Sequence, residues 1–341
     1  MIQVALQSKL IAWLEHGNIL LGDGAMGTML QSVGLTDGGA PELWNVEYPE
    51  KVEAIYLGYA MAGAKIITTN TFGGSKARLK FHNIGDRVFE LNQAGAALAR
   101  KVADEVDALV AGDIGPSGEL IEPVGPLSMQ EAQDMFAEQA FGLIEGGSDF
   151  ILIETMSHMN EVEAAVKGVR RVSAEMPIVT TLSFDTNYHT MMGVSPKEAV
   201  QTISQWGVNV IGANCGNGPK EIVPIMTQMA QYRPDNVYLI VQCNAGLPVY
   251  IDGEIKYDGS PEVMAEYAMT MRNLGINIIG ACCGSTPAHI AAMRDALENI
   301  KHEPIVGPPP VTKDDSAIES ADSRAARAAE RRKARRRNRR E

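Results

Sequence analysis

The sequence predicts an α/β fold: a single (β/α)8 TIM barrel with an N-terminal leading helix and a basic C-terminal tail. Three observations lead there. Eight short apolar, β-branched runs alternate with segments of helical periodicity or helix-start signals. The runs are continuous rather than alternating, as in parallel strands covered on both faces. Polar and ionisable residues gather just beyond the runs, at the strand ends where such barrels carry their sites. The rival architecture is an open doubly wound sheet. Residues 22–27 do spell G-x-G-x-x-G, but the following loop is long and holds Gly38-Gly39 and Pro41, so no helix opens directly from that turn.

The elements follow in order. Residues 3–16 place Val4, Leu6, Leu10, Ile11 and Leu14 at helical spacing, and Gly17-Asn18 stops them, which predicts a helix capping one end of the core. Strands are expected at 19–23, 65–70, 108–115, 149–154, 177–184, 209–215, 237–244 and 277–283. Helices are expected over 50–62, 86–106, 128–146, 159–175, from Ser195-Pro196, from Pro219 to about Gln231, from Ser260-Pro261 to about Leu274, and over 286–300. Ser128 and Glu131 have capping-box spacing. Proline after serine at 195–196 and 260–261 suits the first helical position.

Length and composition agree. A chain of 341 residues accommodates one barrel, and 45% hydrophobic content with only 6% aromatics suits a Val/Ile/Leu/Ala core. The first residues lack a basic n-region and a small-residue cleavage site, and no run of 18 apolar residues occurs, so a cytoplasmic protein is expected. In that compartment four cysteines are read as reduced, metal-bound or catalytic. The net charge of −12 is uneven: residues 322–341 hold ten Lys/Arg and three Asp/Glu, leaving 20 basic and 39 acidic side chains elsewhere. An acidic body argues against nucleic acid as its substrate. The barrel is expected over 1–302, a Pro-rich polar linker over 303–323, and an Arg-rich tail over 324–341, disordered or helical, that meets an acidic partner. A homo-oligomer is also expected.

The chemistry centres on GANCG (212–216) and GACCG (280–284), each following an apolar run. Strands six and eight are separated by one strand, so Cys215 can meet Cys282 and Cys283. Three thiolates suit a soft tetrahedral Zn2+ whose fourth position is left for substrate. An organic thiol entering there becomes a thiolate at neutral pH, the requirement for alkylating sulfur. No H-E-x-x-H occurs. Against this stand small buried cysteines in a core, or a closed structural Zn(Cys)4 site that includes Cys243 in a non-catalytic protein.

The motifs GDGAMGTML (22–30), TNTF (69–72), GDIGPSG (112–118), IET (153–155), GANCG, NAGLP (244–248) and GACCGSTPAHI (280–290) resemble the homocysteine S-methyltransferase domain family. That family includes the first module of cobalamin-dependent methionine synthase, betaine–homocysteine methyltransferase and S-methylmethionine-dependent enzymes. The resemblance implies a zinc-dependent transferase of one-carbon groups that methylates L-homocysteine to methionine. It implies that Cys215, Cys282 and Cys283 hold the zinc and that Asp23 and Glu154 hold the homocysteine amino group. The backbone of Gly24, Ala25, Met26, Gly27 and Thr28 would receive the substrate carboxylate, and no residue acts catalytically beyond the zinc-activated substrate thiolate. Asn70, Thr71 and Phe72 would shape the pocket wall. Trp44 and Tyr188 are the aromatic residues placed to surround a methyl donor, with Met191-Met192 as an apolar lid. Asn214 and Asn244 are read as orienting loops, and Asp113 either supports the site or caps a turn. The donor stays open among a betaine-like onium compound, S-methylmethionine or S-adenosylmethionine, and a corrinoid protein. A same-fold methyltransferase or demethylase acting on another thiol, a selenol or a corrinoid partner also stays open.

Overall fold

A computed structural model describes residues 8–299 apart from 18, 37, 185, 186, 252 and 253. The linker and tail expected beyond 302 lie outside the described residues, as does the start of the leading helix.

Eight parallel strands form the barrel: β1 (Leu20–Leu21), β2 (Ile66–Thr68), β3 (Leu109–Ile114), β4 (Phe150–Met156), β5 (Ile178–Leu182), β6 (Val210–Cys215), β7 (Tyr238–Cys243) and, after a hairpin of β8 (Pro248–Ile251) with β9 (Glu254–Tyr257), β10 (Ile278–Ala281). Their order is β1-β10-β7-β6-β5-β4-β3-β2. The seam between β1 and β2 is drawn together by Lys65 N–H donating to the Leu21 carbonyl at 2.8 Å. The Asp23 carboxylate adds to the seam by accepting from Thr68 N–H at 2.6 Å and Thr68 Oγ1 at 2.8 Å.

The chain also forms twelve α-helices among the described residues. The leading helix is α1 (Lys9–Glu15), and α2 (Gly27–Ser32) and α3 (Trp44–Glu47) lie within the connection after β1. The wall helices are α4 (Pro49–Ala62), α6 (Val88–Val106), α7 (Met129–Glu145), α8 (Met159–Val172), α9 (Pro196–Ser204), α10 (Pro219–Tyr232), α11 (Pro261–Asn273) and α12 (Pro287–Asn299), with the short α5 (Lys76–Lys80) after β2. Their starts follow sequence chemistry. Ser128 and Glu131 form the reciprocal capping box on α7, and Ser195 caps α9 by accepting from Glu198 N–H. The sequence did not announce α2, α3, α5 or the β8–β9 hairpin.

Two large cores separate cleanly among the described residues, beside a small cluster of Leu79, Val88 and Leu91. Inside the barrel, Leu20, Ile66, Leu109, Ala111, Phe150, Leu152, Val179, Val210, Ile240 and Ile278 pack with Leu10 and Leu14 of α1. The leading helix therefore plugs the N-terminal end, as its apolar spacing predicts; each buried leucine contributes roughly 1.5–3 kcal/mol. The second core lies between the sheet's outer face and the helices, and includes Val110, Ile153, Ile211, Leu239, Val241 and Cys243. Successive strand residues alternate between the two. Extending the inner series upward brings Asp113 after Ala111, Glu154 after Leu152, and Gln242 after Ile240 to the inside of the C-terminal end. The barrel thus carries apolar layers below and a polar layer above.

Among the described residues, no helix is long and apolar enough to cross a membrane.

Candidate active site

The polar layer opens into a cavity of about 570 Å3. Its floor and inner wall include Asp113, Glu154, Gln242, Cys215, Cys282 and Cys283; its outer wall includes Glu42, Phe72, Arg78, Phe81 and His82.

The three cysteine sulfurs lie within 4.8 Å of one another. Cys215 Sγ is 3.1 Å from Cys282 Sγ, and Cys282 Sγ is 3.9 Å from Cys283 Sγ. Cys282 and Cys283 can face one point because β10 has already ended at Ala281. Cys215 needs a different device. It continues the outward series of Ile211 and Ala213, yet its sulfur reaches the cavity. Its φ of 59°, followed by 69° at Gly216, turns the chain over at the strand end. A left-handed residue other than glycine costs about 1–2 kcal/mol, so neighbours must hold it. Asn214, fully buried, does so. Its Oδ1 accepts from Thr155 N–H at 2.9 Å and Thr181 Oγ1 at 2.8 Å. Its Nδ2 donates to Thr155 Oγ1 at 2.6 Å and to Cys215 Sγ at 3.5 Å. Thr155 is itself left-handed at φ 60°. One amide therefore ties β4, β5 and β6 together under the thiol.

On the opposite side, Cys282 N–H donates to the Cys243 carbonyl at 2.7 Å, and the Cys282 carbonyl accepts from Ser285 Oγ at 2.7 Å. Ser285 Oγ in turn accepts from Ala25 N–H at 3.0 Å, while Tyr59 Oη donates to the carbonyls of Ala25 and Ser285 at 2.7 and 3.2 Å. The glycine-rich turn after β1 is thereby fastened to the cysteine turn. Gly24 is required there, because a Cβ would stand 2.9 Å from the Tyr59 ring. Tyr257, at the end of β9, packs on the cysteine turn, so closely that a Cβ on Gly284 would run into its ring.

The electrostatics are those of a site that wants positive charge. Burial, against two hydrogen bonds from Thr68, lifts Asp23 to about 6. Burial, then the charges of Cys283 and Asp23, lifts Glu154 to about 8. Burial and Glu154 raise Asp113 well above the carboxylate range, and burial raises Glu42. Among the thiols, hydrogen bonds from Cys215 and Cys282 pull Cys283 down while those two are pushed up. Three soft donors, with no fourth ligand grouped with them among the described residues, open onto a cavity and suit a soft tetrahedral ion. A Zn–S distance of about 2.3 Å corresponds to S···S separations of about 3.8 Å, and the 3.1 and 3.9 Å separations lie on either side of it.

A profile of the family described as homocysteine S-methyltransferase matches residues 20–297. The chain belongs to the homocysteine S-methyltransferase family. It is 34% identical to the methionine synthase of Mycobacterium tuberculosis (strain ATCC 25618 / H37Rv) over 299 residues, covering 83% of this chain and 25% of that protein. It is 32% identical to the methionine synthase of Mycobacterium leprae (strain TN) over 295 residues, covering 82% and 24%. The chain thus spans about a quarter of the length of these curated relatives. Among solved structures, the metallated form of the homocysteine methyltransferase MmuM from Escherichia coli matches with a TM-score of 0.69 at 24% identity, covering 84% of this chain and 98% of that one. At that identity the likeness establishes the barrel fold.

Most residues singled out by the homocysteine S-methyltransferase resemblance come together. Gly24, Ala25, Met26, Asn70, Thr71, Phe72 and Glu154 line the cavity with the three cysteines. Asp23 lies beside it, buried at the β1–β2 seam. The amide of Asn70 is engaged: it donates to the Pro41 carbonyl and to Asn45 Oδ1 and so fixes the loop after β1. Thr28 sits in the first turn of α2, outside the lining residues. Asn244 Nδ2 donates to the Gly216 carbonyl, an orienting contact as expected.

Two expectations are corrected, and the alternative four-cysteine site is not formed. Trp44 does not line the cavity: α3 turns it into the helix-side core, where it meets Tyr48 and the Lys51 ammonium lies 4.7 Å from its ring. Tyr188 stands half-exposed in the loop after β5, outside the cavity lining, as do the exposed Met191 and Met192. Cys243 points away from the cluster, because strand alternation sends Gln242 inward and Cys243 into the helix-side core. A Zn(Cys)4 site including Cys243 does not form in this arrangement. Sequence reasoning missed Glu42, Arg78, Phe81, His82 and Gln242. The inward register of β7 was a signal for Gln242. The others depend on how the long loops after β1 and β2 fold back, for which no local pattern exists.

Proposed function

We propose that the chain transfers a methyl group to the thiolate of L-homocysteine, giving methionine, with Zn2+ held by Cys215, Cys282 and Cys283. One observation carries this reading: converging thiols and buried carboxylates share a single cavity. The ligand complementary to both is an amino thiol. Zn2+ in the cysteine cluster would supply the acidity that makes an entering thiol a thiolate at neutral pH.

The chain's own residues do the rest. Glu154, with Asp23 behind it, holds the ammonium, so that the four-atom reach of homocysteine places its sulfur at the cysteines. The N–H groups of the first turn of α2, which have no partner one turn back, receive the carboxylate. Asn214 and Thr155 fix Cys215. Sulfur attacks the methyl carbon as the bond from that carbon to the donor breaks, and the donor keeps the electron pair. The wall formed by Phe72, Phe81, Glu42, Arg78 and His82 is the side from which the donor approaches.

The shared name of the mycobacterial relatives supports methionine as product. The donor class is a betaine-like onium compound, S-methylmethionine or S-adenosylmethionine, or a methylcorrinoid on a separate protein. The zinc-loaded full chain should be incubated with homocysteine and each donor in turn, with methionine followed by mass spectrometry. Methionine from at least one donor is expected. No methionine with any of them, or faster methylation of a thiol or selenol lacking an α-amino group, overturns the reading.

A further inference from the structure

We infer that Asp113 is a further substrate-binding residue, whose carboxylate takes a hydrogen bond from the α-ammonium group of the amino-thiol substrate. The inference rests on the homocysteine reading above and goes beyond it in naming which acid meets the ammonium.

Asp113 is held firmly by everything except its carboxylate. Its N–H donates to Thr69 Oγ1 at 2.9 Å, and its carbonyl accepts from Thr71 Oγ1 at 2.8 Å and from Gln139 Nε2 at 3.3 Å. The side chain is 3% exposed, continues the inward series of Leu109 and Ala111, and lines the cavity. Yet its Oδ1 is buried without a hydrogen-bond partner. A buried carboxylate oxygen is costly to leave unpaired, so a carboxylate that carries one in the wall of a cavity marks where a ligand donor belongs.

The surroundings narrow the donor's chemistry. The charges that act on Asp113 are those of Glu154 first, then Asp23 and Glu42, all acidic. The basic side chains of the cavity wall, His82 and Arg78, act on Glu42 instead. A group placed between Asp113 and Glu154 must therefore be cationic and rich in N–H. Asp23 is less suited to direct contact, because both of its oxygens already accept from Thr68. Division of labour follows: Asp23 holds the β1–β2 seam and adds negative potential, while Glu154 and Asp113, on adjacent strands, meet the ammonium.

The test compares two acceptors on the zinc-loaded full chain with whichever donor supports turnover: homocysteine and 4-mercaptobutanoate, which lacks the amino group. A charge-assisted hydrogen bond contributes about 1.5–3 kcal/mol, so Asp113→Asn should lower kcat/KM for homocysteine about 10- to 100-fold. The same variant should leave kcat/KM for 4-mercaptobutanoate within about threefold, and zinc stoichiometry unchanged. Equal losses with both thiols, no loss with either, or a change confined to the donor's KM overturns the inference. Asp113→Ser, which keeps a small polar side chain, guards against misfolding of the first variant, and calorimetric homocysteine binding to each variant gives a readout independent of turnover. Failure of the wild-type chain to methylate homocysteine would instead overturn the underlying functional reading.

Discussion

Replacing Asn214 by alanine removes the amide that holds two left-handed residues in place. Thr155 N–H, Thr155 Oγ1 and Thr181 Oγ1 each lose a partner within a buried site, and Cys215 Sγ loses its N–H donor. An orphaned buried polar group costs about 1–3 kcal/mol. Hydroxyl rotation and an entering water recover part of it, which leaves roughly 3–5 kcal/mol of lost stability. Without the clamp, Cys215 can relax from its φ of 59° and its sulfur swings away from Cys282. Loss of such a supporting contact typically weakens a metal site 10- to 100-fold. Urea denaturation of the chelated protein measures the first effect, and competition for zinc with a chromophoric chelator the second. Asn214→Asp is the informative companion. It can still accept from Thr155 N–H and Thr181 Oγ1 but cannot donate to the sulfur, so it should lose less stability than the alanine variant. An Asn214→Ala protein with the wild-type urea midpoint and zinc affinity within twofold would refute the clamp.

Other outcomes follow from the same geometry. Asp23 and Glu154 are raised to about 6 and 8 in the folded protein. The folded state therefore keeps protons that the unfolded chain releases, and the stabilisation is complete below about pH 4 and lost as pH rises toward 6 and then 8. For Asp23 the change is on the order of 3 kcal/mol, and Asp23→Asn should flatten the decline between pH 4 and 6 in the metal-free, substrate-free protein; an unchanged slope contradicts the assignment. Leu10→Ala, which removes half of the α1 plug, should cost about 2–5 kcal/mol in urea denaturation while zinc content stays at the wild-type level. Cys243→Ala should cost about 1 kcal/mol and leave zinc binding unchanged, since its side chain lies in the helix-side core. A loss of zinc with Cys243→Ala would restore the four-cysteine site.

The barrel was legible in the sequence because its signals are local. Apolar runs, capping serines and Ser-Pro helix starts each act within a few residues, and all eight strands fall where the runs stand. The polar rim was legible for the same reason. Two kinds of feature were not. Cys215 stands on the outward register of β6, and only the left-handed turn, stabilised by Asn214 from beneath, brings its sulfur inside. That turn depends on Thr155 and Thr181 from neighbouring strands. The loop after β1 was misread at Trp44 because its short helix α3 and its anchoring through Asn45 and Asn70 are tertiary. Cys243 was readable in principle: strict alternation from Leu239 through Val241 sends it away from Cys215, although β6 and β7 place the two residues in register.

The most direct test of the account is the coordination of zinc in the full chain before and after homocysteine. X-ray absorption at the zinc edge should find one ion per chain with three sulfur ligands and one lighter ligand, changing to four sulfurs when homocysteine is added. Absence of zinc, or four sulfurs that do not change with substrate, would contradict it.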